Sequence, residues 1–361
     1  MAGIALEELK KLSYLDVSAL DGRTVNLMPL WDGTDWHMWT DTPVGLIEMK
    51  IVDAAESDYV AKSAARQSDL FIPFIHIMWQ QASWGEICPL IIAISEDFHN
   101  MGTSVAKLRH FHESQKQIES RGTHKFASTE LEYLVTLCRT TFDLLQEMIA
   151  VIWKTKVQLH DETAEAFRRA HSLPKTFSKM VLHEKELMRN AAEIETQFGL
   201  PKPLAEQYQR IAPFFSELRR IRDRIVHGGS GFGMIFDTER GFCVDPKMRP
   251  FNTFQSWRPE HYYNENIVSV LPWIADTILK TIDACNSLVG AFGSVVQLPP
   301  PIAPGYGVFV RGYHNEALAE LLAIQSGGPA WWDKPVTDDD LVVGMSECKS
   351  ADAVSEDEPL P

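Results

Sequence analysis

Six consecutive residues carry four arginines: Arg219, Arg220, Arg222 and Arg224. Asp223 lies among them, and His227 follows three positions after the last. A guanidinium keeps its charge at any accessible pH, and its planar fork of donors matches a phosphate. An imidazole gains or loses a proton near neutrality and so serves as general acid or base. Together they are equipment for polarising a phosphodiester and moving protons around it. Asp223, one helical turn before His227, is placed to orient the ring.

The helix that carries these residues has its own signature. Advancing about 100° per residue from Leu204, Tyr208, Ile211, Phe214, Phe215, Leu218, Ile221, Ile225 and Val226 fall in one apolar arc. Arg222 falls at the middle of that arc. Burying an unpaired guanidinium costs several kcal/mol, so a carboxylate, a wet subunit seam or an anionic ligand is expected to meet it. The helix stops at Gly228-Gly229, where glycine takes the left-handed cap. His227 is then left at an accessible end, where the helix dipole favours a protonated ring.

The stretch Arg222-Asp223-Arg224-Ile225-Val226-His227 resembles the motif of the HEPN superfamily (higher eukaryotes and prokaryotes nucleotide-binding domain). That motif is an Arg, four to six residues, then a His near a helix end, often with a polar residue directly after the Arg. Asp223 matches that preference, and Arg220 also falls inside the spacing window, so two arginines compete as the partner of His227. The likeness covers about residues 128–296. It implies an all-α bundle that forms a homodimer with the two motifs facing each other. In active members it implies a metal-independent endoribonuclease that leaves a 2′,3′-cyclic phosphate, without a cofactor. It implies catalytic roles for Arg222, His227 and Asp223, with RNA contacts from Arg219, Arg220 and Arg224, in a toxin–antitoxin or phage-defence setting with a possible antitoxin or regulatory partner. The alternative is a non-enzymatic all-α interaction or scaffold protein, whose motif helix is a dimer or partner surface.

Composition bounds these readings. The 361 residues carry 34 Lys and Arg against 49 Asp and Glu, a net charge of −15. Residues 333–361 hold nine acids and two bases, so the body before them is still acidic. No sequence-independent grip on a polyanion is expected, and any nucleic-acid contact has to be local. The five cysteines are far apart and form no CxxC, which speaks against disulfides or a thiolate zinc site and for a reducing cytoplasm. No apolar run approaches the roughly 20 residues a membrane span requires, and the N-terminus lacks the pattern of a secretory signal. Gly228, Gly229, Gly231 and Gly233 are not followed by Lys-Ser/Thr, so a phosphate loop is not met. His110 and His112, two apart, diverge on a helix and do not form metal spacing.

The elements expected to position the motif are mainly α: an up-and-down helical bundle with a short β-hairpin insertion after the motif helix and a small mixed N-terminal segment. The divisions are a mixed segment over 1–55, a bundle over 56–298, an appendage over 299–332 and a disordered acidic tail over 333–361. Period-3.6 patterns predict helices from Pro89 through Leu108, from a capping box at Thr129 and Glu132 through Ile152, over Thr176–Phe198, over Leu204–Val226 and over Ile267–Val296. Residues 234–245 read as two strands around Asp237–Gly241. Trp31, Trp36 and Trp39 read as a packed cluster rather than a stacking platform for bases. Arg139 and Asp143, at i,i+4, read as an ion pair, with contact to the motif helix as the alternative.

Overall fold

The computed structural model describes residues 4–114, 122–184, 187–228, 232–253, 257–312 and 315–333. The chain opens with a single helical turn, α1 (Leu6–Leu9), and then builds strands β1 (Leu30–Trp31), β2 (Trp36–Thr42), β3 (Gly45–Ile51) and β4 (Ser57–Ala61). The three tryptophans pack, but not as one cluster: Trp31 and Trp36, 5.1 Å apart, join Tyr59 and Ala61 in a small second core, while Trp39 enters the main core beside Tyr14. Beyond β4 the helical period takes over: α2 (Pro73–Gln81), α3 (Cys88–Glu113) and α4 (Thr123–Thr155). Pro73 and Pro89 sit in first turns, where no backbone donor is missed.

After the short strand β5 (Gln158–Leu159) come α5 (Glu162–Arg169), α6 (Phe177–Val181) and α7 (Ala191–Phe198). The helix expected over Thr176–Phe198 is therefore two, interrupted where Leu182 pairs with Met188 in an antiparallel bridge. Asn190 and Glu193 form the capping box that restarts the helix. Gly199, at φ 66°, closes it in the left-handed region that glycine enters without strain. The motif helix α8 (Lys202–Gly228) follows, then β6 (Ile235–Thr238) and β7 (Gly241–Val244), the hairpin read from the sequence. The strand β8 (Val268–Ser269), helix α9 (Leu271–Val295), strands β9 (Val296–Gln297) and β10 (Gly307–Arg311), and helix α10 (Asn315–Gln325) complete the described elements.

The up-and-down bundle is corrected by the sheets. The N-terminal segment forms a five-stranded mixed sheet in the order β10-β4-β1-β2-β3, and two smaller sheets join β5 to β9 and β6-β7-β8. The helical bundle was expected to begin at residue 56, but Ser57–Ala61 is a strand, paired in register with Gly307–Arg311. The segment expected as an appendage thus supplies an edge of the first sheet, and α10 packs on α9 and α3. One hydrophobic core runs from Leu9 to Ala330. The physical reason is that strands as short as these bury their apolar faces only by pairing, and β4 finds its second partner in the far end of the chain.

Candidate functional site

Aromatic packing fixes the middle of α8. Phe215 is fully buried and lies 4.8 Å from the ring of Phe177 on α6 and 5.7 Å from that of Phe142 on α4. Tyr208, also fully buried, donates its hydroxyl to Gln146 Oε1 on α4 at 2.7 Å. Each such ring contributes about 1.5–3 kcal/mol by leaving water. Arg139 pairs with Asp143 along α4 and also lays its guanidinium over the Phe215 ring at 5.6 Å. Both readings of that pair therefore hold. Pro213 interrupts neither the helix nor this packing.

Burial ends at Ile221. From Arg222 to His227 the residues of α8 are half-buried or exposed, and Val226 and His227 are open to solvent. The expectation that Arg222 sits among the apolar contacts is thereby corrected. Its side chain is 38% exposed and its Nη1 donates to the neighbouring Asp223 at 3.1 Å. A helical wheel gives direction but not the level at which full burial stops, and beyond Ile221 only Ile225 of α8 still packs against the core.

A different face of the same helix borders a cleft of about 730 Å³. Glu217, Arg220, Arg224 and His227 line it from α8, with Asp223 at its edge. At 100° per residue these four fall within about 80° of one another, whereas Arg222 lies about 140° away from Glu217. Arg220 and His227, seven residues apart, stand on one stripe. Of the two arginines that compete for the histidine, the cleft holds Arg220. Arg249, Asn252 and Thr253 form the opposite wall.

That wall is anchored from below. Phe251, almost fully buried, packs its ring 5.6 Å from Phe232 and 5.4 Å from Trp273 on α9. Thr253 then donates its hydroxyl to Glu217 Oε1 at 3.1 Å, joining the two walls. Glu217 also receives Arg220 Nη1 at 3.1 Å on its other oxygen, while Arg220 stays 59% exposed. Arg224 Nε donates to the Arg220 carbonyl at 3.4 Å. Three arginines and an imidazole thus face two carboxylates, one of which is engaged across the cleft.

Of the remaining predicted residues, Arg219 and Arg222 lie off this face, and Asp223 lines the cleft from its border with them. Asp223 is bracketed by Arg222 and by Arg219, whose Nε lies 3.5 Å from Asp223 Oδ2. Arg219 borders a second cleft of about 500 Å³ on the other side of α8. Asp223 does not hydrogen-bond to His227 among the described contacts, so the ring-orienting role expected for it is not formed here. Sequence reasoning missed Glu217, Arg249, Asn252 and Thr253. The signal for Glu217 was its i,i+3 spacing to Arg220; the residues of the far wall carry no periodicity that marks them.

Of the other histidines considered, His112 is buried against the Trp332 ring at 5.6 Å with Nε2 3.4 Å from Asp333. Among the described residues no three His, Cys, Asp or Glu side chains are grouped as metal ligands, and no helix is long and apolar enough to cross a membrane. The loop from Gly229 to Gly231 and the acidic segment beyond Asp333 lie outside the described residues. Comparison with protein families, with curated proteins and with solved structures finds no match to this chain.

Proposed function

We propose that the cleft at the end of α8 is an RNA phosphodiester site of a metal-independent endoribonuclease. The observation that carries this reading is the convergence of Arg220, Arg224 and His227 from one helix with Arg249 from the facing wall. In an acidic chain, such a local concentration of cation donors suits a phosphate, as the HEPN resemblance implies. In the reaction, the ribose 2′-oxygen attacks phosphorus, the bond to the 5′-oxygen breaks, and a 2′,3′-cyclic phosphate forms. His227 moves one of the two protons: it takes that of the 2′-hydroxyl or supplies that of the leaving oxygen. Arg220 and Arg249 stabilise charge that builds on the phosphoryl oxygens. A second His227, brought by a two-fold partner, handles the other proton, and a regulatory partner of antitoxin type would act by covering the cleft.

The test is cleavage of single-stranded RNA with EDTA present. The parent protein is expected to cleave and to leave cyclic phosphate ends, and His227→Ala to fall to background while retaining its melting temperature. Cleavage by His227→Ala at the parent rate overturns the reading. A second reading, a non-enzymatic dimer or partner surface, is favoured by exposed apolar residues beside the cleft: Val226 next to His227, Met248 next to Arg249, and Met234, exposed by 53%, 49% and 67%. An inert parent that loses self-association on Val226→Asp would support it instead.

A further inference from the structure

The second cleft beside α8 lies between α6, the turn that leads to α7, and α8 itself. Lys179, Arg189 and Arg219 line it with His183 and Glu184, and Glu193 lies behind the imidazole, its Oε2 3.3 Å from His183 Nε2. Arg189 is held as a fixed donor: Nη1 lies 2.9 Å from His183 Nδ1 and 2.5 Å from Gln197 Oε1, and its plane covers the Phe198 ring at 5.7 Å. Its Nε is buried without a hydrogen-bond partner, which leaves a donor there to be satisfied. Lys179 is exposed and makes no ion pair among the described residues.

The two clefts meet at α8. Arg219 and Arg220 are consecutive, and one borders each cleft. On the ridge between them Asp223 is held by Arg219 at 3.5 Å and by Arg222 at 3.1 Å. Two cations thus engage the carboxylate of Asp223 and offset its charge on this crossing. Helix thickness with side chains is about 10–12 Å, a span that a strand of a few nucleotides crosses.

We infer that this second cleft is a phosphate subsite for the same RNA strand: the strand crosses α8 beside Arg219, and a flanking phosphate lies against Lys179 and Arg189. The inference rests on the proposed RNA site and specifies its substrate as a single strand several nucleotides long, since a mononucleotide or dinucleotide cannot reach both clefts. Phosphate contacts of this kind hold register and add affinity without reading sequence.

The test compares Lys179→Glu with the parent on two probes, a dinucleotide and a single-stranded RNA of about ten nucleotides. Lys179 is exposed and outside the core, so its reversal leaves the fold in place, and a melting curve verifies that. The longer RNA is expected to bind the variant several-fold more weakly at low salt, with the slope of log affinity against log salt reduced by about 0.7 for the lost phosphate contact. Cleavage of the dinucleotide is expected to be unchanged. Equal affinity and equal salt slope for parent and variant overturn the subsite while leaving the first cleft standing. A parent that cleaves neither probe and binds neither overturns both.

Discussion

The structure separates two arginines that the motif leaves equivalent, and exchanging each for alanine tests the separation. Arg220 lines the cleft with His227, and under the proposed reaction its removal deletes a donor to the phosphate. Loss of one such donor lowers kcat by about 10²–10³, or about 2.7–4 kcal/mol of transition-state stabilisation. Arg220 is 59% exposed and pairs with Glu217 alone among the described carboxylates, so the accompanying stability change is about 0.2–1 kcal/mol. Arg222 reaches only Asp223, with both side chains 38% exposed. Its stability change falls in the same range, and its effect on cleavage stays below about fivefold, the factor that 1 kcal/mol carries. The assay is single-turnover cleavage of RNA in EDTA, run beside thermal melts. Arg220→Ala should lose activity far beyond its change in stability, and Arg222→Ala should not. If Arg222→Ala instead loses a hundredfold while Arg220→Ala keeps its rate, the cleft is not where the reaction occurs.

Two further outcomes follow from buried polar groups. Asp97 on α3 faces Thr141 on α4, and burial raises its carboxyl from 3.8 to about 6 despite a hydrogen bond from the Thr141 hydroxyl. Between those values the native state holds a proton that the unfolded chain has lost, so stability falls as pH rises through that window, by at most about 3 kcal/mol. Asp97→Asn is therefore expected to be more stable than the parent at about pH 8 and to match it at about pH 4 in urea titrations; an offset equal at both pH values contradicts this. Tyr208→Phe removes the donor to Gln146 Oε1, a fully buried oxygen whose amide nitrogen already serves the Pro174 carbonyl at 2.8 Å. The orphaned acceptor costs about 1–3 kcal/mol, seen as a lowered melting temperature, and an unchanged melt speaks against that network.

The hairpin over residues 235–244 was legible because its turn residues and its pairing partners are neighbours in the chain. The first sheet was not, since β4 pairs with β10 from the opposite end and no local pattern announces a partner so distant. The start of α4 was misplaced for a local reason. Thr129 and Glu132 have capping-box spacing, yet the Thr129 hydroxyl donates to the Lys125 carbonyl inside a helix that begins at Thr123, after a Gly122 that makes no side-chain cap. The division between α6 and α7 was hidden because apolar residues continue through it without glycine or proline. At the site, the residue types, their helix and its stop were readable. Which arginine accompanies His227 was not readable, since the sequence favoured Arg222 and left Arg220 open until the cleft placed Arg220 beside the histidine, and the far wall around Arg249 is set by tertiary packing under Phe251.

The late arrival of β10 has a consequence for how the protein is made. About 250 residues separate β4 from the strand that covers its edge. At about 5–20 residues per second, a ribosome takes roughly 10–50 s to supply the missing strand. During that interval the nascent chain presents an open strand edge to anything nearby, while α8 and the wall facing it have already emerged. A chaperone that shields β4, or a stop codon between Val296 and Gly307, would bear on the yield of folded protein while leaving every residue of the cleft in the chain.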